Sequence, residues 1–129
     1  MKKSTVLVID RDSLLRETMC LMLEAVGHTG IPIPTFANAL SALHGVAFDV
    51  VLVRVGSREP EESVFLMDAK ILQPRLKIIM VTGVKYPPPT SMNIDAVLPI
   101  PFGVERLNAT VLEVLQSPPS TLTRDHRYN

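Results

Sequence analysis

Cysteine is almost missing from the chain. Cys20 is the only one in 129 residues, so neither an internal disulfide nor a Cys-rich zinc site can form. Tryptophan is absent, and four Phe with two Tyr make up the whole aromatic content. That is too little for a platform that stacks single-stranded nucleic acid. Neither sign of charge is in excess. Thirteen Lys and Arg balance thirteen Asp and Glu, which argues against bulk electrostatic binding to nucleic acid or to an anionic membrane. No apolar run approaches the roughly 20 residues that cross a bilayer. After Met1-Lys2-Lys3-Ser4 only five apolar or Thr residues precede Asp10, too few for a secretory leader. The expected location is the cytoplasm. Glycine patterns of the G-x-G-x-x-G or P-loop type are missing too, which removes nucleotide binding by that route.

What is present is ordinary globular composition, 47% hydrophobic and 20% charged, on a chain long enough for one domain with a real core. Thr5-Val6-Leu7-Val8-Ile9, Asp49-Val50-Val51-Leu52-Val53 and the stretch from Leu76 to Val81 are continuous apolar, β-branched runs. Such runs suit strands buried on both faces of a parallel sheet. Gly30 to Pro34 is a poorer strand, which Pro32 and Pro34 confine to an edge. Ala96-Val97-Leu98 is a short last strand. The intervening segments predict helices. Leu14 to Val26 is capped by Asp12 or Ser13 and ended by Gly27, and Phe36 to His44 is ended by Gly45. Glu61 to Leu72 carries acidic residues in its first turn, and Gly103 to Gln116 has Val104, Leu107, Val111 and Leu115 on one stripe. Met19, Met22, Met67 and Met80 read as core filler and Cys20 as a small core or boundary residue. His28, His44 and His126 show no metal-ligand spacing and read as solvated. Tyr86-Pro87-Pro88-Pro89-Thr90 cannot be regular helix or central strand. The domain is expected over residues 1–117, with 118–129 a polar tail or linker remnant.

Strands alternating with helices predict an α/β fold, a doubly wound parallel sheet with right-handed crossovers and helices on both faces. In such a sheet the site lies beyond the carboxyl ends of the strands. Those ends are Asp10 to Asp12, Arg54 to Gly56, Thr82-Gly83 and Pro99 to Pro101. Asp49 stands at the opposite end of its strand and is discounted.

Four stretches in order carry a resemblance. They are Val6-Leu7-Val8-Ile9-Asp10, Phe48-Asp49-Val50-Val51-Leu52-Val53, Ile78-Ile79-Met80-Val81-Thr82-Gly83 and Asp95-Ala96-Val97-Leu98-Pro99-Ile100-Pro101-Phe102. Over about residues 4 to 116 the chain resembles a receiver domain of the bacterial response-regulator family. The resemblance implies a flavodoxin-like five-stranded parallel sheet with strand order 2-1-3-4-5. It also implies a site. In that family an acidic pair after the first strand holds Mg²⁺, helped by a phosphate-accepting carboxylate after the third. A Thr or Ser after the fourth strand transmits the switch, with an aromatic residue of the fifth strand moving beside it. A Lys before a Pro after the fifth strand meets the phosphoryl charge.

Set on that pattern, Asp10 fills the first acidic position, while Arg11 occupies the second with Asp12 beside it. Arg54 stands at the acceptor position. Thr82 keeps the switch hydroxyl, and Val97 replaces the aromatic. Ile100 replaces the Lys, and Pro101-Phe102 after it match. The charges of Asp10, Arg11, Asp12 and Arg54 cancel, where the family has three carboxylates and one ammonium. A guanidinium neither ligates Mg²⁺ nor accepts a phosphoryl group. The expectation is a degenerate, or pseudo, receiver. It would be no enzyme, have no catalytic residue and no cofactor, and bind Mg²⁺ weakly or not at all. It would act through contacts with a protein, whether a histidine kinase, another regulator or an output protein, in two-component-type signalling. Arg54 either pairs with Asp10 where the metal would sit or snorkels to solvent.

Ile100 follows Thr82 by only 18 positions, a few short of the family's usual spacing. The helix expected between the fourth and fifth strands is therefore shortened or missing. Pro87-Pro88-Pro89 with Tyr86 reads as a rigid loop or as a polyproline surface for a partner groove. Two alternatives stand beside the main reading. One is a ligand-sensing domain in which Arg11 and Arg54 grip a small anion. The other is a residual phospho-receiver using Asp10 or Asp12. A homodimer through the first and last helices, or through the altered fourth-helix region, is left open.

Overall fold

A strand covered on both faces must sit inside a sheet, and the three continuous apolar runs do so. The structure, a computed structural model, describes residues 3–55, 60–83 and 94–118. Its elements are β1 (Thr5–Ile9), α1 (Ser13–Ala25), β2 (Thr29–Ile33), α2 (Phe36–Gly45), β3 (Val50–Arg54), α3 (Pro60–Leu72), β4 (Lys77–Thr82), β5 (Ala96–Pro99) and α4 (Val104–Gln116). The strands form one parallel sheet in the order β2-β1-β3-β4-β5. This is the doubly wound, flavodoxin-like arrangement. The expected change in the helix between the fourth and fifth strands lies outside the described residues. So do Gly56, the segment from Tyr86 to Thr90, His126 and all of the tail but Pro118.

Side chains of alternate strand positions separate into two cores. Leu7, Ile9, Val51, Val53, Ile78 and Met80 meet Ala39, Leu43, Phe65, Leu66 and Ala69 of α2 and α3. Val6, Val8, Leu52, Ile79 and Val81 meet Met19 and Leu23 of α1 and Leu107, Val111 and Val114 of α4. The Phe36 and Phe65 rings stack at 4.9 Å between α2 and α3.

The weaker strand forms in full. Thr29–Ile33 pairs with β1 along its whole length, with Pro32 opposite Val8, and has no strand on its other side. A donorless residue is tolerated at such an edge. Gly30 lets β2 lie close against α1, where a Cβ would come within 3.1 Å of both the Cα and the Sγ of Cys20. Gly27 ends the α1 turn with φ 94°, a conformation open to glycine. Asp12 is the N-cap of α1, its carboxylate accepting from the Leu14 and Leu15 amides.

Two expectations fail. Met67 is 49% exposed, because it lies on the side of α3 away from the sheet. His28 is buried, not solvated. Its Nδ1 accepts from the Ser4 amide (3.2 Å) and hydroxyl (2.8 Å), and its Nε2–H then donates to Asn108 Oδ1 (3.1 Å). Sequence spacing gave no hint of this chain, because Asn108 comes from the last helix.

Further polar ties gather at the same amino-terminal edge of the sheet. Asp49 Oδ2 accepts from the Thr5 amide at 2.8 Å. Gln73 joins the α2–β3 connection to the end of α3 through the Leu43 and Val46 carbonyls and the Phe48 amide. Lys77 Nζ donates to the Val114 and Ser117 carbonyls at the end of α4, where a cation suits the helix dipole. Lys70 and Asp95 form a buried ion pair at 3.2 Å, with side chains 7% and 4% exposed. Asp95 also accepts from the Ile78 amide, and Lys70 donates to the Leu76 carbonyl.

Burial lowers the Lys70 pKa from 10.5, partly opposed by Asp95, while Lys77 adds to the fall. Between that lowered value and 10.5 the unfolded chain binds more protons than the folded one, so Lys70 makes stability rise with pH in that window. Lys70→Met is expected to remove this slope and, by breaking the buried ion pair with Asp95, to cost about 3 kcal/mol. Adding Asp95→Asn should recover most of that loss. Denaturant titrations of the three variants at several pH values check both effects.

Candidate functional site

Parallel strands deliver their carboxyl ends to one edge, and the expected strand-end residues assemble there. Asp10 follows β1 directly and is only 4% exposed. Its Oδ1 accepts from the Asp12 amide at 2.9 Å, and its Oδ2 faces Arg54 Nη1 at 3.5 Å. Its carbonyl accepts from Arg16 Nη1 at 2.7 Å. Arg54, the last residue of β3, is thus turned inward across the sheet edge with its side chain 36% exposed. The distance is long for a charge-assisted bond. The pair has a buried acid and a half-exposed base, so solvent reaches only one of its members.

Arg11 points the other way. Its guanidinium meets Glu61 Oε1 at 3.0 Å, with side chains 76% and 52% exposed, an arrangement that adds little stability. Between these pairs lies a pocket of about 320 Å³ lined by Asp10, Arg11, Asp12, Arg54, Glu61 and Glu62, with Ile9, Pro34, Thr35 and Phe36 forming its other walls.

The cancelling charges read at the strand ends are therefore an incomplete count. α3 brings Glu61 and Glu62 to the same pocket, so four carboxylates face two guanidiniums. In the sequence these two acids read only as partners of the helix dipole. The signal that could have placed them is that α3 begins above the edge where β3 ends.

The other expected residues do not join this pocket. Ile100 and Pro101 lie on the opposite flank of Asp10. There, with Leu15, Met19, Met22 and Phe102, they line a second and apolar cavity of about 200 Å³. Thr82 ends β4, is 4% exposed, and its carbonyl accepts from the Ile100 amide at 2.8 Å. It lines neither cavity. Val97 pairs with Met80 within the sheet and is half-buried. Cys20 is no nucleophile for either cavity. Burial chiefly raises its thiol pKa, with Glu24 and Glu17 adding to the rise and Arg16 opposing it.

The residues present do not fit Mg²⁺. Among the described residues no three acidic, His or Cys groups converge on a point where a cation could sit. Both oxygens of Asp10 are turned to other donors, and Asp12 is committed to the first turn of α1. No described helix is long and apolar enough to cross a membrane.

No protein-family model matches the sequence, and no curated protein does. Solved structures do match. A CheY-like response regulator receiver domain protein from Methanospirillum hungatei superposes with a TM-score of 0.76 at 23% identity, over 88% of this chain and 94% of that one. The chemotaxis response regulator CheY4 of Vibrio cholerae superposes with a TM-score of 0.74 at 20% identity, over 88% and 99%. Full-length FixJ from B. japonicum superposes with a TM-score of 0.75 at 22% identity, over 90% of this chain but 59% of that one. The chain has the receiver fold.

Arg54→Ala leaves Asp10 Oδ2 without its cation. The expected cost is about 1 kcal/mol, less than for a fully buried pair because Arg54 is half in water, and a fall of about 3–5 °C in melting temperature. The same change made in an Asp10→Asn background should cost less. Thermal melts of the four proteins measure that coupling.

Proposed function

We propose that this chain is a receiver-fold module of two-component-type signalling that works without phosphorylation, through contacts with another protein. The observation that carries the reading is Arg54. It stands at the strand end where the receiver pattern has its phosphate acceptor, and it turns inward to face Asp10 at 3.5 Å. A guanidinium is neither a phosphoryl nucleophile nor a ligand for a hard cation. With Ile100 in the Lys position, no ammonium is supplied there for an incoming phosphoryl group. The ion pair supplies internally what the metal and phosphate would supply in turn, so the module holds one state. No reaction is assigned to it. The partner would be a histidine kinase, another regulator or an output protein.

A second reading has one observation in its favour. Among the described residues the Arg54 guanidinium makes one contact, a long one, and it faces a pocket large enough for a small anion. The four carboxylates around it oppose that reading by repulsion, and they favour the first. A residual acceptor role for Asp10 or Asp12 is opposed by their backbone hydrogen bonds.

The test is to incubate the protein with Mg²⁺ and a small acyl-phosphate donor, or with beryllofluoride, and follow intact mass and amide NMR shifts. The expected result is no mass gain and no shifts around Asp10, Arg54 and Thr82. A gain of one phosphoryl group would overturn the proposal. Inorganic phosphate that shifts those amides without a mass gain would favour the anion reading.

A further inference from the structure

Four of the six exposed large hydrophobic residues among those described lie on one side of the molecule. Val64, Met67 and Ile71, 55%, 49% and 69% exposed, run along α3. Val46 is exposed beside the end of that helix, where Gln73 Nε2 holds its carbonyl at 2.7 Å. Helical spacing puts the three α3 residues on the face opposite Phe65, Leu66 and Ala69, which are buried in the core. α3 is therefore apolar on both sides. Surface helices normally keep their outer face polar, and a contiguous apolar patch marks an interaction site.

We propose that this face pairs with the same face of a second copy, α3 packing antiparallel against its equivalent across a two-fold axis. The proposal goes beyond the signalling reading and does not depend on it. The stripe is symmetric about the point between Met67 and Asp68. An antiparallel partner therefore sets Val64 against Ile71 twice and brings the two Met67 side chains together at the axis. Such self-complementarity is what an isologous interface requires.

Charge selects the antiparallel arrangement. Glu61 stands at the N-terminal end of α3 and Arg75 just beyond its C-terminal end, both exposed. Glu61 uses Oε1 for Arg11 and keeps Oε2. Arg75 makes no hydrogen bond or ion pair among the described residues. Antiparallel packing places Glu61 of each copy beside Arg75 of the other, whereas parallel packing would oppose Glu61 to Glu61. Asp68, half-buried at the margin of the stripe, is the one like-charge contact close to the axis.

The stripe is smaller than the roughly 800 Å² per partner of a standard interface. The dimer is accordingly weak and concentration-dependent, with Kd between about 10 μM and about 1 mM. Sedimentation velocity of the full chain across that range tests it, with no metal or phosphoryl donor present. The wild type should shift from monomer towards dimer. Met67→Glu should stay monomeric with an unchanged melting temperature. Arg75→Glu, outside the helix and harmless to its folding, should weaken association about tenfold. Adding Glu61→Arg to Arg75→Glu should restore it. A wild type that stays monomeric throughout overturns the proposal. So does a dimer that persists in Met67→Glu and Arg75→Glu, since its seam would lie elsewhere.

Discussion

A carboxylate shut away from water must be given partners, and Asp10 is where this molecule meets that demand at the carboxyl edge of its sheet. Removing an unpaired charge from solvent costs several kcal/mol. The chain answers with an amide from its own helix cap and a guanidinium from the neighbouring strand. Arg16 then holds the Asp10 carbonyl, so the turn from β1 into α1 is fixed by the same residue. The inward course of Arg54, the division of the edge into an acidic and an apolar cavity, and the poor fit to a cation all follow from how that one acid is satisfied.

The two cavities have opposite character because they belong to opposite faces of the sheet. The acidic one opens towards α2 and α3, where the Thr35 cap of α2 and Glu61 and Glu62 in the first turn of α3 supply polar groups. The apolar one opens towards α1 and the segment leading into α4, where Ile100 and Phe102 line it. A ligand or side chain entering one of them would meet a different chemistry from one entering the other, although both reach Asp10.

Much of this was legible in the sequence for identifiable reasons. Val6 to Ile9, Val50 to Val53 and Ile78 to Val81 are apolar on both faces, a pattern that admits only interior strands of a parallel sheet. Gly27 and Asp12 are position-specific signals, and both act as read. The inward turn of Arg54 was one of two options, and only the three-dimensional placement of Asp10 decides between them. What the sequence hid depends on packing between distant segments. His28 is buried because Asn108, eighty positions away, supplies an acceptor. Glu61 and Glu62 reach the pocket through the sheet's topology rather than through proximity in the chain. Met67 misled because helical periodicity alone cannot say which of two apolar faces is turned to the core.

Five side-chain ties at the amino-terminal edge of the sheet come from residues with no part in the strand-end pocket: His28, Asp49, Gln73, Lys77 and the Lys70–Asp95 pair. They join the start of β1 to β3 and α4, the end of α3 to the α2–β3 connection, and β4 to α3 and α4. The buried polar ties are thereby gathered at one pole of the molecule and the strand-end cavities at the other. A substitution at the cavity pole leaves all five of these ties in place, so the side chains lining the cavities are mechanically uncoupled from the joints that hold helices to sheet.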